Sequence, residues 1–216
     1  MKVIIAGSTG MIGQLILDSC LRSDKVTEVV SLVRKPTGRD VDKLSEIVIQ
    51  DFGDYSTHAA LFQGVNQAFF CIGVYTGQVP DELFKTITVD YAVEFAKALK
   101  NNSPQGTLCL LSGAGADRTE KSRTAFARYK GMAENQIHDL GLDFYTFRPG
   151  YIYPVTPRKE PNALYRISRA LYPVIRMFGE NSSIKSTELA AAMVKVAQKG
   201  ADQEILENQD ILAQLE

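Results

Sequence analysis

Seven residues near the N-terminus carry the densest chemical signal in the chain: Gly7-Ser8-Thr9-Gly10-Met11-Ile12-Gly13, entered directly from Val3-Ile4-Ile5-Ala6 and followed by a helical pattern. Glycines at every third position allow a sharp strand-to-helix turn and a close approach of backbone to a pyrophosphate. The N–H groups that open the helix then point at the anion. This is the layout of a dinucleotide cradle; the plain alternative is a tight turn with no ligand. Arg34 and Lys35 follow Ser31-Leu32-Val33, with Arg39 further along. In such a cradle the end of the second strand meets the adenosine ribose, where an acidic residue would take the 2′-hydroxyl of NAD and a basic pair takes the extra phosphate of NADP. The pair points to NADP, with NAD the alternative cofactor and a solvated basic loop the bland reading. Asp51-Phe52 offers an acceptor for the adenine amino group and a ring to cover its face, and Cys71-Ile72-Gly73 offers a glycine against the adenosine. The competing readings are that Phe52 is core and Cys71 a small buried hydrophobe.

These residues need strands to carry them. Apolar runs rich in Val, Ile and Phe occupy residues 2–6, 27–33, 46–50, 67–72, 107–111 and 143–147, and runs apolar on both faces read as buried parallel strands. Helical spacing appears between them: Met11, Ile12, Leu15 and Ile16; then Leu83, Ile87, Tyr91 and Phe95 behind Pro80; then Phe126, Ala133, Ile137 and Leu140. Alternating strands and helices predict an α/β fold, a doubly wound, mostly parallel Rossmann sheet with helices on both faces, and ligands at the carboxyl ends of its strands. From Arg34 to Ser45, Pro36, Gly38 and the charged residues leave room for a loop or a single turn. The whole of 1–216 reads as one domain. Past Pro149 the composition shifts, with Pro149, Pro154, Pro157 and Pro161 close together and helical patterns from about Asn162 and from Ser186. Residues 150–216 are therefore expected to form a C-terminal substrate lid integrated with the domain. Arg166, Arg169 and Arg176 on its first helix would meet an anionic substrate or form a solvated face. Tyr75, Tyr151 and Tyr153 also fall at strand ends, where one hydroxyl can reach the reacting centre.

Composition narrows the function classes. The 216 residues are 45% hydrophobic and 23% charged, with 24 basic and 25 acidic side chains and a net charge of −1, so no field draws the chain to nucleic acid or an anionic membrane. Cys20, Cys71 and Cys109 form neither a disulfide framework nor a CxxC pair, which fits a reducing, cytoplasmic compartment. His58 and His138 have no other ligands at zinc spacing, so no metal is expected. The uncharged opening from Val3 to Leu17 is broken by Gly7, Gly10 and Gly13, so no export or membrane segment is expected there.

Several stretches together resemble an atypical short-chain dehydrogenase/reductase, in the branch that includes the HIV Tat-interacting protein type oxidoreductase. They are the Gly7–Gly13 turn, Val33-Arg34-Lys35, Leu111-Ser112-Gly113-Ala114-Gly115-Ala116, Phe147-Arg148-Pro149-Gly150-Tyr151 and Glu204-Ile205-Leu206-Glu207-Asn208. The resemblance implies a Ser-Tyr-Lys catalytic group in which Ser polarises the substrate carbonyl, Tyr moves the proton, and Lys tunes Tyr and holds the nicotinamide ribose. Ser112 and Lys130 match; Phe126 stands at the tyrosine position. At roughly 100° per residue, Phe126 and Lys130 share a helix face while Tyr129 lies off it, so Tyr129 is no simple substitute. Tyr151 is the candidate hydroxyl from elsewhere. The resemblance also puts the backbone of Arg148-Pro149-Gly150 beside the nicotinamide carboxamide, although a strand end needs a turn in any case. The expected function is an NADP(H)-dependent oxidoreductase acting on a small carbonyl or alcohol. The alternative is a non-catalytic NADP(H)-binding regulator read by a protein partner, and a sugar-nucleotide isomerase ranks third because the tail is cramped for such a substrate.

Overall fold

The computed structural model describes residues 1–156 and 182–216. Val3, Ile4 and Ile5 are all fully buried, so both faces of their strand need cover, and the fold supplies it from two helical layers. Seven strands form one parallel sheet: β1 (Lys2–Ala6), β2 (Glu28–Val33), β3 (Leu44–Val48), β4 (Val65–Phe70), β5 (Thr107–Leu111), β6 (Asp143–Arg148) and, two strands later in the chain, β9 (Ile205–Glu207). Their order is β3-β2-β1-β4-β5-β6-β9. The chain winds outward in one direction from β1 and in the other from β4, so the order reverses between these two strands. Ala6 pairs with both Leu32 and Phe70, and a crevice opens beyond the carboxyl ends at this switch point. The fold is the expected α/β Rossmann-like one.

One face of the sheet is covered by α2 (Asp81–Lys85), a π-helical turn (Thr86–Asp90), α3 (Tyr91–Asn102) and α4 (Ala125–His138), which bury Phe84, Phe95 and Ile137 against Ile4, Phe70 and Leu108. The other face is covered by α1 (Met11–Arg22) and α5 (Ser186–Lys199), which bury Ile16 and Met193 against Val3, Ile5 and Phe69. Residues 34–43 carry no helix, in keeping with a loop, and β3 starts two residues ahead of the expected run.

The described part of the tail is built into the domain. A short β7 (Tyr151–Tyr153) pairs in parallel with β8 (Ser183–Lys185), α5 packs on α1, β9 extends the sheet beside β6, and α6 (Asn208–Ala213) follows. Leu189, Ala192, Met193 and Val196 are all fully buried, a stripe that only the sheet face can cover, so residues 182–216 build the domain itself. Pro157, Pro161 and the proposed lid helix with Arg166, Arg169 and Arg176 lie outside the described residues. No described helix is long and apolar enough to cross a membrane.

Candidate functional site

The glycine turn is held from inside. Gly7 has φ +89°, and a side chain there would come within 2.7 Å of the Cys71 carbonyl carbon; one on Gly13 would lie 2.2 Å from the Gly7 oxygen. The turn therefore packs backbone to backbone against the end of β4 and the start of α1, and only glycine fits. Gly10 N donates to Gly7 O at 3.0 Å. No side chain caps α1 at Gly10, and its first turn holds no acidic residue, so the positive end of the helix stays open toward the crevice.

Gly10, Met11 and Ile12 form one end of a cleft of about 690 Å³. It continues past Cys71, Ile72 and Gly73 to Ser112, Lys130, Pro149, Gly150 and Tyr151. Beside it, Thr9, Arg34 and Lys35 line a second hollow of about 380 Å³. Arg34 and Lys35 are exposed and hold no ion pair among the described residues, whereas Arg39 is engaged with Asp18 at 2.7 Å.

Other residues singled out in the sequence face elsewhere. Ser8 is buried and its Oγ shares a 2.6 Å hydrogen bond with Ser31 Oγ, which pins the turn to β2. Phe52 is core, 5.9 Å from the Tyr91 ring, and the exposed Asp51 accepts from Gly53 N at 2.8 Å to shape its own turn. Neither lines the cleft. Burial pushes the Cys71 thiol up to about 12, which suits a small apolar wall residue and not a nucleophile. All three cysteines are free, and no metal-ligating cluster occurs among the described residues.

α4 supplies the catalytic-looking wall. Phe126 presses its ring on Gly113, where a side chain would meet Cζ at 2.6 Å. One turn on, Lys130 donates from Nζ to Leu111 O at 3.0 Å; burial lowers its ammonium to about 8, against the opposing pull of the Glu134 carboxylate. Tyr129 faces the other way. Its hydroxyl donates to Asp81 Oδ2 at 2.6 Å, and its ring lies 5.8 Å from Phe84. Tyr75 and Tyr151 line the cleft, and Tyr153 does not.

Glu134, which the sequence reading passed over, organises the floor. It is fully buried and accepts from Ser112 Oγ at 2.5 Å, Arg118 Nε at 3.0 Å, Arg148 Nε at 3.1 Å and Thr146 Oγ1 at 3.2 Å. Burial alone would raise its carboxyl, but the bonds from Arg148, Ser112 and Arg118 outweigh this and hold it below the usual carboxylate range. Arg148 also reaches Glu207 at 3.0 Å, so its guanidinium is spent on carboxylates while Pro149 and Gly150 line the cleft. The available signal was a lone acid four residues after Lys130, between Ala133 and Ile137 on an apolar stripe.

The open helix end, the glycines that admit close approach, and Arg34 and Lys35, which hold no ion pair among the described residues, suit a dinucleotide. The fungal protein FMP52, mitochondrial, from Debaryomyces hansenii is 31% identical over 156 residues, 69% of this chain and 66% of the relative, so the chain spans just under two thirds of that relative's length. The yeast methylglyoxal/isovaleraldehyde reductase Gre2 complexed with NADPH superposes with a TM-score of 0.70 at 15% identity, covering 95% of this chain and 77% of that one. The UDP-N-acetylglucosamine 4-epimerase from Methanobrevibacter ruminantium does so with 0.70 at 18% identity, covering 94% and 74%. Both structural likenesses show the shared fold. The model of the NAD(P)H-binding family matches residues 7–199, from the first glycine of the cradle to the last residue of α5, and the chain belongs to that family.

Proposed function

We propose that this chain is an NADP(H)-dependent oxidoreductase of the atypical short-chain dehydrogenase/reductase type, in the branch of the HIV Tat-interacting protein type, acting on a small carbonyl or alcohol. The observation that carries the reading is the continuous cleft leading from the uncapped start of α1 to Ser112 and Lys130, with Arg34 and Lys35 in a hollow at its side. The N–H groups of Met11 and Ile12 hold the pyrophosphate, with Gly7 and Gly13 letting the backbone close around it. Thr9, Arg34 and Lys35 take the 2′-phosphate. A bound nicotinamide supplies or accepts the hydride. Lys130 donates to ribose hydroxyls, Pro149 and Gly150 flank the ring, and Ser112 and Tyr151 address the substrate oxygen. Three free thiols fit a reducing compartment such as the cytoplasm.

Charge-assisted bonds to a phosphate are worth about 1.5 to 3 kcal/mol, or roughly ten- to a hundredfold in affinity. NADPH fluorescence titration should therefore give tighter binding than NADH by that factor, and Arg34→Ala should erase most of the gap. Equal affinities in the wild type would contradict the NADP assignment. Phe126 at the tyrosine position favours a second reading, a non-catalytic NADP(H)-dependent regulator that a protein partner recognises. A panel of aldehydes and ketones separates the two: NADPH consumption that falls in Lys130→Ala marks an enzyme, and intact binding without turnover marks a regulator.

A further inference from the structure

Ser112 has one hydroxyl proton, and Glu134 takes it. The two side chains lie 2.5 Å apart, Glu134 is fully buried, and two arginines already bond to it. A carboxylate held ionised in this way only accepts hydrogen bonds, so the serine is the donor there and its remaining lone pairs serve the cleft that it lines. Lys130 lines the same cleft and gives one N–H to Leu111 O, leaving two to offer.

Lys130 is held at the carbonyl of Leu111, the residue before Ser112, so the cleft offers a donor and an acceptor close together in the chain. These complement a hydroxyl group: its oxygen accepts one free N–H of Lys130, the other going to the ribose, while its hydrogen goes to Ser112. A carbonyl oxygen has no hydrogen to give and would meet the serine lone pairs, unless Ser112 abandoned its bond to the buried carboxylate. The remaining described wall carries no charge: Ile72, Val74, Leu111, Phe126 and Ile152 are apolar, Tyr75, Thr76 and Tyr151 add neutral hydroxyls, and Lys130 is the one charged side chain among the described lining residues.

We propose that the cleft takes an uncharged, apolar alcohol in preference to the matching ketone, with Ser112 accepting the ligand's O–H bond because Glu134 holds the serine's own hydrogen. The inference rests on the cleft being the substrate site, and it concerns binding, not turnover. A ribose hydroxyl of the dinucleotide has the same chemistry, so the test includes the cofactor.

The probes are 1-phenylethanol and acetophenone, matched in shape and titrated by calorimetry against the full chain. Each is titrated without cofactor and with it in the state that cannot react: NADPH with the alcohol, NADP+ with the ketone. The alcohol is expected to bind about tenfold tighter or better in both conditions. Ser112→Ala should bring the ratio close to one. Glu134→Gln, whose amide can donate to Ser112 and release the serine hydrogen toward the cleft, should lower or reverse the ratio; if that variant does not fold, Ser112→Ala decides. Equal affinities, a tighter ketone or no binding of the alcohol overturns the proposal. A preference that vanishes when cofactor is present gives the hydroxyl position to the ribose and overturns it as well. The NADPH titration of wild type is independent of all these outcomes, so failure here is distinguishable from failure of the cofactor reading.

Discussion

Lys130 carries a folding cost that the proposed binding role would explain. Burial lowers its ammonium to about 8, below the value it has in the unfolded chain. Between those two values the unfolded state binds the extra proton, so stability rises with pH across the window; below pH 8 the folded state bears the full cost of a buried charge. Lys130→Met should therefore stabilise the protein at pH 7 by on the order of 2 to 3 kcal/mol, seen as a higher melting temperature, and the difference should close between pH 8 and about 10.4. A pH-independent difference would refute the burial argument. Phe126→Tyr addresses the neighbouring turn of α4. If the site is a reductase weakened by the missing hydroxyl, NADPH consumption should rise on the order of a hundredfold; an unchanged rate would show that position to be non-catalytic. Ser112, Phe126 and Lys130 were legible in the sequence through the resemblance to the short-chain dehydrogenase/reductases, and helical spacing then puts Phe126 and Lys130 on one helix face. Direction was not: Arg148 turns to Glu134 and Glu207, Phe52 turns into the core, and Ser8 turns to Ser31, each drawn by a partner far away in the chain.

Elements hold the site wall through close backbone contacts. A side chain on Gly131 would come 1.9 Å from the Asp117 oxygen, so α4 rests directly on the loop that leaves Ser112. Asp117 N donates to Ala127 O at 2.9 Å, and its carboxylate accepts from the backbone of Thr119, Lys121 and Ser122, which folds that loop onto the helix. Gly131→Ala should push the two apart, destabilising the protein by about 1 to 3 kcal/mol in urea unfolding and weakening NADPH binding; unchanged stability would mean the loop yields freely. The strands were legible as continuous apolar runs because both sheet faces are covered. The second helical segment was only partly so. Its expected stripe began at Leu83, which is 42% exposed, while Phe84 and Thr88 are buried instead. The π-helical turn at Thr86–Asp90 inserts a residue between α2 and α3 and rotates one relative to the other, and such a turn has no composition that would announce it.

At the scale of the molecule, the last strand and helix tie the two ends of the sheet's second half together. Glu204 receives Arg118 and His138, Glu207 receives Arg148, and the buried Asn208 accepts from Gly150 N at 2.8 Å and donates to Ser183 O at 2.9 Å. Leu206 and Ile211 are fully buried in the same layer as α1 and α5. The sequence hid this because β9 is three residues long, too short to show a period, and because the shift toward Pro, Tyr and Arg after Pro149 drew attention to a cover over the site. A lid and a structural strand respond differently to removal. Deleting residues 204–216 would leave a lidless protein folded, with cooperative urea unfolding and altered ligand affinity alone. Here it strips apolar cover from the core and acceptors from Arg118 and Arg148, so the truncated chain is expected to lose the cooperative transition and amide-exchange protection in β6. Retention of both would mean that the seventh strand is dispensable, and with it the anchoring of Gly150 at the cleft.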